Sequence, residues 1–237
     1  AGEVFAEKIV RITAGDWPPY LSSNLPHNGI AGRIITEAFA VKEIKVKFDF
    51  YPWKRAFILA KKGRKDGTAV WLKNSEREAD FYYSKPVIEE KHVFFHLKSK
   101  PFDWQNVNDI KGKTLGGLLG FSYGEMIDNA AKTDLITIDF VSEGEFNFKK
   151  LLAKRIDLYP QELNVGYHTL QTMFLAGEKE QITHHNTPFL QRQSYLLLPK
   201  KNERSKILLK AFNEGLEILI KEDKIEQYHN EIREMKK

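Results

Sequence analysis

The run Gly120-Phe121-Ser122-Tyr123-Gly124 has the residue types and spacing of a nucleophile elbow, Gly-x-Ser-x-Gly. In such an elbow a serine hydroxyl is exposed on a sharp turn between a strand and a helix. A hydrolase would also need a base to take the serine's proton. Four histidines follow, His168, His184, His185 and His229, and none has a context that marks it as that base. The same residues read in two other ways. Backbone N–H groups at a helix start form an anion site, to which the Ser122 hydroxyl adds a donor. Alternatively, Ser122 does no more than cap its helix.

Other chemistries have less support. His184 and His185 are adjacent, so on a strand they point to opposite faces. No His-Glu-x-x-His or comparable ligand spacing occurs, and no metal is expected. Gly112-Lys113-Thr114 ends like a phosphate loop but lacks the glycine five residues earlier. With no cysteine there is no disulfide, thiolate site, cysteine nucleophile or lipidated cysteine. No cofactor is implied.

The 237 residues are 42% hydrophobic, enough for one large domain or two small ones. No stretch approaches the roughly 18 apolar residues of a membrane span. Lys and Arg exceed Asp and Glu by 5. The densest basic run, Lys61-Lys62-Gly63-Arg64-Lys65, falls where a helix should end and suits its dipole. It reads as a solvated helix end, and no nucleic-acid partner is expected. The chain opens Ala1-Gly2-Glu3, as a mature exported protein does after its leader is removed, and as a trimmed chain would.

The elements that must position these residues alternate. Lys8 to Ala14 reads as a strand running into the turn Gly15-Asp16-Trp17-Pro18-Pro19-Tyr20, where two prolines forbid a regular element. Gly32 to Val41 carries a helical stripe of Ile34, Ile35, Ala38 and Phe39. Val46 to Tyr51 alternates as a strand. Trp53 to Lys62 reads as a helix with Phe57, Ile58 and Leu59 inward, and Asp66 to Trp71 as a short buried strand. Further on, strands are expected at His92–Leu97, Thr114–Leu119, Ile136–Val141, Ile156–Tyr159 and Tyr195–Leu198. Helices are expected from near Ser122, over Phe146–Ala153 and Glu162–Phe174, and in two closing segments, Arg204–Lys221 and Lys224–Met235. Strands alternating with helices imply βαβ units and mainly parallel sheets, whose ligands bind at the carboxyl ends of strands. No Gly/Ser-rich or Pro-rich linker divides the chain.

One ordered set of motifs spans nearly the whole chain. Asp66–Val87 holds a strand, then the turn Asn74-Ser75-Glu76-Arg77, then Tyr83-Ser84-Lys85-Pro86. It resembles a stretch of the bacterial extracellular solute-binding proteins of the polar amino-acid uptake family (family 3). Gly15–Tyr20 resembles that family's first ligand loop, and Asn28-Gly29-Ile30-Ala31-Gly32 its glycine turn before the first helix. Ile110 through Ser122 resembles the entry to its second lobe. Lys154-Arg155-Ile156-Asp157-Leu158 resembles its Gly-Arg-Ile-Asp segment, with Lys154 in place of the glycine. Tyr51-Pro52-Trp53-Lys54-Arg55-Ala56 looks like one subgroup of the family, the PWKRA type.

The resemblance implies an α/β, two-lobed periplasmic-binding-protein-like fold, each lobe a mainly parallel sheet flanked by helices. Lobe one would comprise residues 1–90 plus 188–237 and lobe two residues 91–187, joined by two hinge strands. Ligand would sit in the cleft and be buried by hinge closure. Arg77 matches the arginine that holds a ligand carboxylate through two parallel charge-assisted hydrogen bonds. Its alternative is a surface arginine paired with Glu76 or Asp80. Ser122 and the N–H groups around Phe121 match the opposing anion site. Trp17 matches a stacking aromatic, with packing under the proline turn as its alternative. Glu162 falls where the family has an aspartate that grips an amino group, and otherwise reads as an acid at a helix start. Asp157 reads as structural.

Val70, Trp71 and Leu72 stand where amino-acid binders offer small polar side chains. With Leu72 also at the ligand, Trp53, Trp71 and Phe121 could instead shape an aromatic-lined site for another organic acid or a larger ligand. The expected function is capture of an amino acid or related organic acid in the periplasm by a monomer that delivers it to the membrane subunits of an ABC transporter. Two other readings stay open. One is an enzyme on the same scaffold, a dehydratase of cyclic acids with Glu162 as general acid or base. The other is a sensor reporting to a membrane receptor.

Overall fold

The computed structural model describes residues 8–121 and 123–234. In chain order the elements are β1 (Ile9–Ala14), α1 (Gly29–Ala40), β2 (Lys45–Phe50), α2 (Trp53–Lys61), β3 (Gly67–Leu72), α3 (Ser75–Asp80) and β4 (Phe81–Leu97). Then come β5 (Thr114–Leu118), α4 (Glu125–Lys132), β6 (Thr137–Val141), α5 (Gly144–Leu152), β7 (Tyr159–Glu162), α6 (Leu163–Met173), α7 (Ala176–Lys179) and β8 (Ile182–His184). β9 (Leu190–Pro199), α8 (Ser205–Lys221) and α9 (Lys224–Glu234) complete the chain. Two compact units result, one built from residues up to Glu89 with Arg192–Glu234, the other from Glu90–Gln191.

In the first unit β1 pairs in parallel with β2, Ile9 opposite Lys45 through Ala14 opposite Phe50, and with β3. β9 then lies antiparallel to β3, with a register break between Thr68 and Trp71. The sheet is therefore mixed. A parallel neighbour needs a crossover helix, and β9 enters this sheet without one. Alternation places Val10, Ile12 and Ala14 in the core, each fully buried. Ile30, Ile34, Ile35, Ala38 and Phe39 make the inward stripe of α1, which packs on Phe212, Leu216 and Leu219 of α8. The Phe39 and Phe212 rings meet at 5.2 Å.

α1 starts at Gly29, three residues before the expected start, because its first free N–H groups find acceptors in the preceding turn. Ile30 N–H donates to the Pro19 carbonyl at 3.1 Å and Ala31 N–H to that of Tyr20 at 2.9 Å. These bonds tie the Trp17 turn to the helix. Gly29 is needed there: its φ is +88° and a Cβ would fall 2.6 Å from the Tyr20 oxygen. In α2 the buried positions are Ala56 and Ala60; of the residues expected inward, Phe57 packs on the cluster around Ala60 and Leu59 is half-buried, but Ile58 is exposed. Residues four apart share a helical face and adjacent ones do not.

The second unit has two apolar clusters, one on each face of β4. Val93, Phe95 and Leu97 join Phe148, Leu151, Tyr159, Leu170 and Ile182. Phe94 faces the other way with Trp104, Ile110, Leu115, Tyr123, Ile127 and Leu158. β5 and β6 are parallel, whereas β7 and β8 run antiparallel to β4. The strand expected at Ile156–Tyr159 starts only at Tyr159. Lys154 adopts φ +57° and Leu158 makes a lone bridge to Leu115, so the chain bends before it can pair. Asp157 is structural, accepting the Thr114 N–H at 2.9 Å.

Candidate functional site

In the first unit the end of β3 builds an aromatic wall. Val70 is 5% exposed and packs inward, while Trp71 and Leu72 are half-buried. The Trp71 indole N–H donates to Thr68 Oγ1 at 3.0 Å, fixing the ring. Trp53 meets Trp71 edge-on at 5.1 Å, and Phe57 packs against Trp71 at the same distance. Gly15 makes room for this: a Cβ there would lie 2.1 Å from the Trp53 indole.

Arg77 stands on this wall. Asn74 caps α3 by accepting the Arg77 N–H at 2.9 Å, which turns the chain directly after β3. The guanidinium carbon lies 4.9 Å from the Trp71 ring centroid and 5.9 Å from that of Phe57. Nη1 donates to the Leu72 carbonyl at 2.6 Å. Among the described residues no carboxylate pairs with Arg77. Asp80 is taken by Lys61 at 2.7 Å and Glu78 by Lys73 at 3.0 Å. A guanidinium carries five N–H donors, and among the described residues most of these have no protein acceptor. The arrangement is a planar cation fixed from behind and unspent in front, suited to a carboxylate.

Asn74→Ala should cost about 1 kcal/mol of stability through loss of this cap. Urea unfolding measures it, and an unchanged midpoint would mean that the cap does not hold α3.

Trp17 lies two residues beyond Gly15. Its ring packs on buried Tyr20 at 4.4 Å, and its N–H and carbonyl close the turn with Leu21. It makes no ring contact with Trp53 or Trp71. The structure thus brings Trp53, Trp71, Leu72 and Arg77 together and holds Trp17 on the adjoining turn.

In the second unit the helix expected near Ser122 starts at Glu125, after Gly124 at φ +89°. Ser122 itself lies outside the described residues. The Phe121 N–H donates to the Leu118 carbonyl at 3.2 Å. The described backbone turns at Phe121, and the helix begins four residues later. Glu125 and Asp128 stand in the first turn of α4, where carboxylates suit the dipole and oppose an anion. Buried Tyr123 anchors the loop by accepting the Leu118 N–H at 2.8 Å. Burial pushes its phenol well above its usual range and keeps it protonated.

Glu162 is 3% exposed and caps α6, accepting the Val165 N–H at 2.9 Å. Across the β4–β7 pair it stands opposite His92, so both side chains share one sheet face. Sequence reasoning missed His92 and Glu90, 3% and 6% exposed, whose Nε2 and Oε2 lie 3.2 Å apart. The signal was available. Residues 90, 92 and 94 alternate onto one face of a buried strand, where an acid and a histidine are out of place. Phe189 and Phe121 flank the His92 ring at 6.2 and 6.4 Å.

The adjacent histidines do point apart. His184 bonds the Tyr167 hydroxyl at 2.6 Å and His185 the Asp103 carboxylate at 2.9 Å. Among the described residues no group of three or more His, Asp or Glu is arranged to hold a metal ion.

The model of the bacterial extracellular solute-binding proteins, family 3, matches residues 9–232. No curated protein matches the chain. Among solved structures, substrate binding domain 2 of Lactococcus lactis GlnP, in open conformation, aligns with a TM-score of 0.75 and 16% identity over 94% of each chain. The amino acid ABC transporter substrate-binding protein AbpA of Streptococcus pneumoniae, bound to L-arginine, aligns at 0.61 with 16% identity, over 95% of this chain and 94% of its own. A histidine kinase sensor domain similar to periplasmic binding proteins aligns at 0.62 with 17% identity, over 94% of this chain and 95% of its own. These likenesses show an α/β periplasmic-binding-protein-like fold.

Proposed function

This chain belongs to the bacterial extracellular solute-binding proteins of family 3, and from that premise we propose that it captures an amino acid or related organic acid for ABC-type uptake. The observation that carries the reading is Arg77, set on Trp71 and Phe57 with most of its donors free of acceptors among the described residues. The first unit supplies this clamp for a carboxylate and the Trp53–Trp71 wall for an apolar stem. Within the second unit, Phe121 and Glu162 are proposed as solute contacts in their own right. The family's hinge closure would then enclose the solute. Solved relatives of this fold include a transporter binding protein holding L-arginine. Micromolar capture needs roughly −8 kcal/mol, which a bidentate arginine and one aromatic face can approach. The periplasm is the compartment this implies, the membrane subunits of a transporter the partner, and a monomer the working form. The Tyr51–Ala56 motif supports a PWKRA-type subgroup as part of this reading.

The test is a melting-temperature panel of amino acids and small organic acids, with mass spectrometry of whatever co-purifies. At a hundredfold excess over Kd the cognate solute should stabilise by about 2.7 kcal/mol, a rise of roughly 5–10 °C for a chain of this size. No shift across the panel, with nothing co-purifying, would refute capture. A sensor role has one supporting observation, the likeness to a kinase sensor domain. It would use the same solute and differ only in the partner that reads it.

A further inference from the structure

His92 is buried on β4 and its two ring nitrogens have unequal surroundings. Nε2 lies 3.2 Å from Glu90 Oε2. A carboxylate only accepts, so Nε2 carries the proton. Nδ1 is buried and has no hydrogen-bond partner. With Nε2 as the donor to Glu90, the ring's bare position is the acceptor at Nδ1. Neither flanking ring, Phe121 or Phe189, can donate to it. Glu162 shares its sheet face, so carboxylates stand on both sides of the imidazole. Such a setting favours a donor that brings positive charge. Phe121, 42% exposed and on the loop before α4, is the exposed one of the two rings beside His92.

We propose that His92 is a specificity residue: its Nδ1 accepts a hydrogen bond from an ammonium or guanidinium N–H of the solute, and Glu90 holds the tautomer that keeps Nδ1 bare. The proposal rests on the reading that the chain captures a small solute and deepens it by naming a cationic nitrogen as the group recognised.

The experiment uses the whole chain with L-arginine, L-lysine, succinate and 2-oxoglutarate as probes. Nitrogen-15 histidine NMR at neutral pH should show His92 protonated at Nε2 alone. Saturation with L-arginine or L-lysine should shift the Nδ1 resonance toward the hydrogen-bonded range. His92→Phe should weaken binding of that amino acid at least tenfold. His92→Asn, whose Oδ1 stands near the place of Nδ1, should keep it within a few-fold. A proton on Nδ1 in the free protein would overturn the proposal whether or not the variants fold. So would an unchanged Nδ1 resonance at saturation with affinity kept in His92→Phe. Binding of succinate or 2-oxoglutarate alone would overturn it and leave solute capture standing. If none of the four raises the melting temperature, the proposal falls together with the amino-acid reading.

Discussion

Arg77→Ala should abolish high-affinity solute binding while leaving the protein folded. The guanidinium is fixed by its seat on Trp71 and its bond to the Leu72 carbonyl, and it lacks a carboxylate partner among the described residues. Each hydrogen bond from it to a ligand carboxylate contributes roughly 1.5–3 kcal/mol. Losing two weakens binding by roughly a hundredfold or more. Arg77→Lys should recover little, because an ammonium cannot make the paired, planar contact. The stability cost stays small, since a half-exposed cation–π contact is worth about 0.5–1 kcal/mol. Calorimetry with the solute found by the melting panel measures the first effect and thermal unfolding the second. Wild-type affinity in Arg77→Ala would remove the clamp.

Gly215→Ala should destabilise the first unit strongly, although helix propensity points the other way. Gly215 lies inside α8, where alanine is better than glycine by about 1 kcal/mol. A Cβ at this position would sit 1.9 Å from the Ala38 carbonyl oxygen in α1 and 2.7 Å from its carbonyl carbon. Both are backbone atoms, so no side chain can swing aside. The two helices must separate, which loosens Phe39 against Phe212. Overpacking costs typically 1–3 kcal/mol and occasionally more. We expect a net loss of about 2 kcal/mol and a melting temperature lower by roughly 4–8 °C. A variant as stable as the parent would show that α1 and α8 do not approach this closely.

The periodicities carried most of the fold. The stripe of Ile34, Ile35, Ala38 and Phe39 and the alternation of Val10, Ile12 and Ala14 depend on local geometry, which the chain expresses residue by residue. Errors gathered where local pattern and backbone geometry part. Ile58 is apolar yet exposed, because the two small alanines of α2 take the buried face. The strand expected at Ile156 waits until Tyr159, after Lys154 has turned through positive φ. The helix expected at Ser122 begins at Glu125, after Gly124 has turned through positive φ.

Residue order alone determined the family, the α/β class and the arginine that follows β3, because these live in short motifs and in hydrophobic spacing. Tertiary structure decided what no spacing encodes. It set the Arg77 guanidinium on an aromatic face, turned Val70 inward, and placed Glu162 across the sheet from His92, some seventy positions earlier in the chain. The reason is physical. Strand pairing and ring packing join residues distant in sequence, and their partners are selected by register and shape as the whole chain folds.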